Sequence, residues 1–305
     1  MKITIIGAGA MGCLFGGLLT EHGLDVQLVE VREDQINTLN KRGLTVLRNG
    51  QERVIRVRAV RNPAEVAETD LALIFVKYAQ TGAASQAAAR LLGSSGVALT
   101  LQNGMGNAEI IAEKAGADRV LCGTTAQGAM LLGPGKIQHS GTGETVIGMW
   151  QQDRQPMVTQ IAEVFSAAGI PCRAVDKIEP LLWNKLFVNV GINAITALTG
   201  IRNGQLFDQE ETGALMRDVV QEAVLVAEEL GVPVAAVPLE HVRQVAEATA
   251  SNRSSMGQDV DARRATEIDA INGYIVRKAQ ELGLEVPVNQ TLVRLVKTLQ
   301  GHYPG

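Results

Sequence analysis

Along the first hundred residues, short unbroken apolar runs take turns with amphipathic stretches. The run at 2–6 (KITII) predicts a buried strand, 11–21 a helix, and 26–30 a second strand, because a strand covered on both faces reads as continuous apolar sequence. Residues 32–40 carry helical spacing. Segments 44–48 and 53–58 alternate in polarity around Asn49-Gly50, a dipeptide suited to the positive φ angles of a tight hairpin. A further apolar run at 71–76 predicts a strand, 79–92 an alanine-rich helix, and 97–101 a strand ending at Gln102-Asn103-Gly104. Segments 136–140 and 145–148 read as another strand pair. Past Val175 the period changes: 178–198, 210–230, 239–250, 262–282 and 291–299 all repeat at helical spacing, punctuated by Gly231-Val232-Pro233 and Val286-Pro287. The fold class expected is α/β: an N-terminal Rossmann-type doubly wound parallel sheet over 1–176, followed by an all-helical C-terminal domain over 177–305.

Composition narrows the classes of function. The 305 residues hold 28 Lys and Arg against 32 Asp and Glu, with no long run of either sign, which argues against a nucleic-acid partner or an anionic membrane surface. Cys13, Cys122 and Cys172 lie far apart, as do the four histidines, so neither a disulfide framework nor a metal site is expected, and a reducing cytoplasm fits. The apolar start after Lys2 resembles a secretory leader, but spaced glycines interrupt it and no small-residue cleavage pattern follows.

Those glycines carry chemistry. Gly7-Ala8-Gly9-Ala10-Met11-Gly12 is G-x-G-x-x-G between a strand and a helix. Gly7 allows the tight turn, Gly9 the approach of a pyrophosphate, and Gly12 close packing of helix on sheet, with Ala10 and Met11 at the helix N-terminus that faces the phosphates. A dinucleotide-binding domain is the expectation, against a merely structural glycine turn. Glu30, closing the second strand, could accept hydrogen bonds from a ribose diol, which suits NAD(H). Arg32 could meet a 2′-phosphate, which suits NADP(H), and the two point in opposite directions.

In the helical half, residues 181–198 are apolar nearly all round, yet Lys185, Asn189 and Asn193 recur at i, i+4 and i+8. A buried ammonium and two amides cost free energy unless they are partnered, so the stripe is expected to line a solvated cleft between the domains rather than an ordinary exposed face. A lysine there suits a general acid for a carbonyl being reduced. The polar stretch 252–259 reads as a loop before the helix bearing Glu267, Asp269 and Asn272. On sequence alone a plain interhelical loop is the favoured account of it, ahead of a site for a carboxylate and hydroxyl groups.

Several motifs occur together in one order: the glycine fingerprint, Val76-Lys77-x-x-Gln80, Gln102-Asn103-Gly104-Met105-Gly106, and Trp183-x-Lys185-x-x-x-Asn189-x-x-x-Asn193. Asn203-Gly204, Ser254-Ser255-Met256-x-Gln258-Asp259 and Thr266-Glu267-Ile268-Asp269 follow. In this the chain resembles the ketopantoate reductase (2-dehydropantoate 2-reductase) family. The resemblance implies NADP(H)-dependent reduction of 2-dehydropantoate to (R)-pantoate, in pantothenate biosynthesis. It puts the proton-donating lysine at Lys185, the catalytic glutamate at Glu267, and a residue beside nicotinamide and lysine at Asn103. Asn189, Asn193, Asn203, Asn252 and Ser255 match substrate contacts, and Lys77 and Gln80 cofactor contacts. The family often has arginine directly at the end of the second strand, where this chain has Glu30-Val31-Arg32. The alternatives are a reductase of another 2-keto acid or a 3-hydroxy acid dehydrogenase, and a nicotinamide sensor without catalysis. The expected partner is a small 2-keto acid. A homodimer through the apolar face of 210–230 is weighed against that face serving the domain's own core.

Overall fold

The computed structural model describes residues 1–151, 155–234 and 238–303. The chain forms two compact units. One comprises Met1–Gln102 with Asn107–Ile178, and the other Asn103–Gly106 with Glu179–Gly305.

The first unit contains β1 (Lys2–Ile6), α1 (Ala10–Glu21), β2 (Asp25–Val29), α2 (Glu33–Arg42), β3 (Leu44–Arg48), β4 (Gln51–Ile55) and β5 (Arg58–Val60). There follow β6 (Thr69–Ile74), α3 (Thr81–Leu91), β7 (Leu92–Thr100), α4 (Asn107–Ala115), β8 (Val120–Thr125), β9 (Gly128–Gly133) and β10 (Lys136–Gly141). β11 (Thr145–Met149), α5 (Gln155–Ala167) and β12 (Cys172–Ala174) complete it. The main sheet runs β12-β11-β8-β7-β6-β1-β2-β5, and β4-β3-β10-β9 form a second, four-stranded sheet.

From β5 to β8 the pairings are parallel, the doubly wound arrangement expected. At one edge an antiparallel strand joins this parallel sheet. β11 pairs antiparallel with β8, and β12 lies parallel to β11. The chain reaches β11 from β8 through strands of the smaller sheet without a helical crossover, and such a return delivers an antiparallel neighbour. Segments 136–140 and 145–148 are likewise not partners: β10 pairs with β3 and β9, while β11 pairs with β8 and β12. Two alternating stretches a few residues apart look like a hairpin locally, but which edge each one meets is a tertiary matter. The Asn49-Gly50 hairpin is present, with φ of 50° and 78° at those residues.

The apolar start is core. Ile3 and Ile5 of β1 pack with Leu14, Phe15 and Leu19 of α1, all 1% exposed or less, and the Phe15 ring meets Phe75 and Phe165 at 5.0 and 5.8 Å. Each such side chain contributes about 1.5–3 kcal/mol by leaving water.

The second unit is helical: α6 (Glu179–Thr199), α7 (Glu210–Glu229), α8 (Pro238–Ala248), α9 (Ser255–Asp261), α10 (Asn272–Leu282) and α11 (Pro287–Gly301). Among the described residues α6 is long and apolar enough to cross a membrane, but it is packed by α7, α8, α9 and α11 and buries Trp183, Phe187, Val190 and Ile195. Met216, Val219, Val220 and Val226 of α7 belong to the same core, so the apolar face weighed for a second copy serves the unit itself.

Two expectations in this unit are overturned. The loop expected over 252–259 ends at Ser254, whose hydroxyl accepts the Gly257 N–H at 3.0 Å and caps α9, so 255–259 are helical. Residues 262–282 are not one helix. Arg263 at φ 52° ends α9, and the Glu267 carbonyl accepts the N–H groups of both Ala270 and Ile271 in a tight turn. Glu267 and Asp269 therefore stand on a turn, and only Asn272 lies on the helix, as its first residue.

Candidate active site

In the first unit the glycine turn has the shape a dinucleotide needs. Gly7 sits at φ +102° and donates its N–H to the Val29 carbonyl at 2.8 Å, and a side chain there would meet the Phe75 carbonyl at 2.9 Å. A Cβ on Gly12 would fall 1.9 Å from the Gly7 oxygen. Gly9, the N-cap of α1, has none of the described residues within 4 Å of where its Cβ would be. That side of the turn is open to a ligand, and Ala10 and Met11 open the helix whose first N–H groups lack intrahelical partners. The residues present thus fit a pyrophosphate.

Gln35 was not singled out in the sequence, yet it holds this turn. Fully buried on α2, it donates from Nε2 to the Ala8 carbonyl at 2.8 Å and accepts the Gly135 N–H at 2.8 Å. Its amide also reaches Cys13 Sγ at 3.4 Å, and burial pushes that thiol up to about 12, so Cys13 is a packing residue and not a nucleophile. A polar residue inside an amphipathic helix gives no sequence signal for this role.

At the end of β2, Glu30 is 7% exposed and its Oε1 accepts the N–H groups of Val31 and Arg32 at 2.9 and 3.1 Å. The Arg32 guanidinium pairs with Glu30 Oε2 at 3.2 Å, so the two residues that pointed to different cofactors neutralise each other. Lys77 and Gln80 lie exposed around the one-turn helix Tyr78–Gln80. Gln102 braces that loop, donating to the Val76 carbonyl at 2.7 Å and to Thr81 Oγ1 at 2.9 Å.

In the second unit Lys185 is half-buried on α6. Burial pushes its ammonium down from the ordinary 10.5 to about 8, and the Glu267 carboxylate pulls the other way. The 267–271 turn also receives the segment that contains Asn103. The Met105 N–H donates to the Ala270 carbonyl at 2.8 Å, and Gly104, at φ +78°, lies so close that a Cβ would be 2.3 Å from the same oxygen. Lys185, Glu267 and the Asn103 segment are thereby gathered into one unit although they come from three stretches of sequence.

The amides divide. Asn189 is half-buried one turn beyond Lys185, and Asn193 is 5% exposed. Asn203 and Asn252 are joined by backbone, the Asn203 N–H donating to the Asn252 carbonyl at 3.1 Å, and Asn203 Nδ2 donates to Thr249 Oγ1 at 2.9 Å. Asn193 Nδ2 and Asn203 Oδ1 are buried with no hydrogen-bond partner among the described residues. Of the two serines, Ser254 is interior, bonded by Thr196 Oγ1 at 2.7 Å, whereas Ser255 is exposed at the start of α9.

Comparison with known proteins gives the same ordering of parts. Residues 3–152 match the family described as Ketopantoate reductase PanE/ApbA, and residues 177–300 its C-terminal counterpart. The chain belongs to the ketopantoate reductase family. It is 38% identical to a 2-dehydropantoate 2-reductase of Halobacterium salinarum, over 98% of this chain and 99% of that one. It is 36% identical to the Vibrio cholerae enzyme of the same name, over 98% of both. Among solved structures, a PanE/ApbA family ketopantoate reductase from Ralstonia eutropha is 34% identical and aligns with a TM-score of 0.90 over 99% of both chains. A D-mandelate dehydrogenase solved with NADH and anilino(oxo)acetate is 27% identical, with a TM-score of 0.91 over 99% of both.

Proposed function

We propose that this protein is a 2-dehydropantoate 2-reductase that forms (R)-pantoate, with Lys185 as the proton donor. The observation that carries the reading is the Lys185 ammonium, lowered to about 8 by burial beside the Glu267 carboxylate. A lysine with an ordinary pKa gives up its proton reluctantly, whereas one near 8 is still charged at neutral pH and is a usable acid.

When bound, the nicotinamide cofactor supplies the hydride that goes to C2 of the keto acid. Lys185 stabilises the oxyanion that develops and gives it the Nζ proton. Glu267 holds the ammonium, and Asn103 orients it from the adjoining segment. Asn189, Asn193, Asn203, Asn252 and Ser255 bind the substrate's carboxylate and hydroxyl. The unmet polar atoms of Asn193 and Asn203 support this, because burying such an atom without a partner costs about 1–3 kcal/mol that a ligand would recover. Gly7, Gly9, Ala10, Met11 and Gly12 hold the pyrophosphate, with Lys77 and Gln80 beside it. The cofactor proposed is NADP(H), with Arg32 turned from Glu30 to the 2′-phosphate. Glu30, buried at the strand end, favours NAD(H) as the second reading. Cys13, Cys122 and Cys172, far apart in the sequence, suit a cytoplasmic enzyme.

The likeness to D-mandelate dehydrogenase favours a second reading of the substrate, another 2-keto acid. NADPH and NADH oxidation followed in parallel with ketopantoate and with an aromatic 2-keto acid separates the readings. The expected result is a higher kcat/KM for NADPH with ketopantoate. A preference for the aromatic acid moves the substrate, and a preference for NADH moves the cofactor. Consumption of neither cofactor leaves only a nicotinamide sensor.

A further inference from the structure

A second cation stands beside Arg32 at the edge of the main sheet. β5 runs parallel to β2 with Val60 opposite Val29, and the Glu30 N–H donates to the Val60 carbonyl at 3.0 Å. Glu30 and Arg61 therefore leave neighbouring strands at the same carboxyl edge. Arg61 Nη1 reaches Glu33 Oε1, on the first residue of α2, at 2.5 Å, while Arg32 holds Glu30 at 3.2 Å.

We propose that Arg61 is a specificity-determining residue that joins Arg32 in gripping the 2′-phosphate of the adenosine ribose. This rests on the NADP(H) reading above. In a doubly wound sheet the residue closing the second strand meets that ribose, so the end of the adjoining strand borders the same place. Charge then decides how many cations are needed. A phosphate arriving there meets two carboxylates, Glu30 and Glu33. With Arg32 alone the cluster is net negative before the phosphate enters. With Arg61 it is neutral, and both guanidinium groups can offer paired donors to phosphate oxygens. Opening the existing pair costs little, since Arg61 and Glu33 side chains are 64% and 72% exposed and a pair so open to water is held only weakly. Glu33 is then the competitor that the phosphate displaces.

The alternative role for Arg61 is a brace between α2 and the end of β5, which would affect every nucleotide alike. Calorimetric titration of the full chain with adenosine 2′,5′-bisphosphate and with adenosine 5′-monophosphate tells the two apart. Arg61→Gln is expected to lose about tenfold in affinity for the bisphosphate and to leave the monophosphate unchanged, while Glu33→Gln tightens the bisphosphate. An Arg61→Gln variant that keeps the wild-type preference, or that weakens both ligands equally, overturns the role given to Arg61. A wild-type protein with no preference for the bisphosphate overturns the NADP(H) reading, and this proposal with it.

Discussion

At Lys185 burial and charge oppose one another, and both leave measurable traces. The folded pKa of about 8 lies below the ordinary 10.5, so the donor form is lost as pH rises through about 8, and kcat/KM for reduction is expected to fall there. Glu267→Gln removes the group that raises the pKa, so the fall should begin at lower pH; a profile that stays put would disconnect Glu267 from Lys185. The same shift makes the ammonium a cost to folding below about pH 8, relieved between about 8 and 10.5 as the folded state loses its proton first. Lys185→Met is therefore expected to raise Tm at pH 7 while turnover drops by about 10²–10³-fold with cofactor binding intact. A lowered Tm, or turnover near wild type, counts against the assignment. Glycines give a second contrast at this scale. Gly9→Ala meets nothing and should leave Tm unchanged while weakening cofactor binding. Gly12→Ala, with its Cβ 1.9 Å from a carbonyl oxygen, should lower Tm as well. If the two variants behave alike in melts, the turn is not built as described.

At the level of elements, the start of α11 depends on α7. Glu222 accepts the N–H groups of Val288 and Asn289 at 2.8 Å, and Asn289 Nδ2 donates to the Val219 carbonyl and to Glu222. Asn272, the first residue of α10, donates to Asn289 Oδ1 at 3.0 Å, so one asparagine links three helices. Asn289→Ala strands these buried groups and is expected to cost about 2–3 kcal/mol in urea unfolding; a loss within error would mean the network is slack. Elements with strong local signals were legible: β1, the long helices, and the Asn49-Gly50 hairpin, whose positive φ angles only such residues adopt readily. Two of the misreadings share a cause. Segments 136–148 and 262–271 look regular in isolation, but their pairing and their turns are set by partners remote in sequence.

At the scale of the molecule, the described residues form two hydrophobic cores, and the chain does not visit them strictly in order. Asn103–Gly106 leaves the first unit, delivers Met105 to the helical core beside Trp183 and Phe187, and returns. Met105→Ala should cost about 2–5 kcal/mol, although the residue lies in the N-terminal half. Hydrogen exchange is the discriminating measurement: protection should fall in α6 and be retained in β1. A loss confined to the β1 sheet would place Met105 in the wrong core.

The glycine fingerprint, the polar stripe on α6 and the two-part plan were determined by sequence, because each is a local pattern with a local physical meaning. The gathering of Lys185, Glu267 and the Asn103 segment was decided by the tertiary structure, as were the roles of Gln35 and Asn289. A buried amide is recognisable only by what it bonds, and those partners lie up to a hundred residues away. Glu30 and Arg32 belong to both: the sequence set them two residues apart, and the fold turned them onto each other and placed Arg61 alongside.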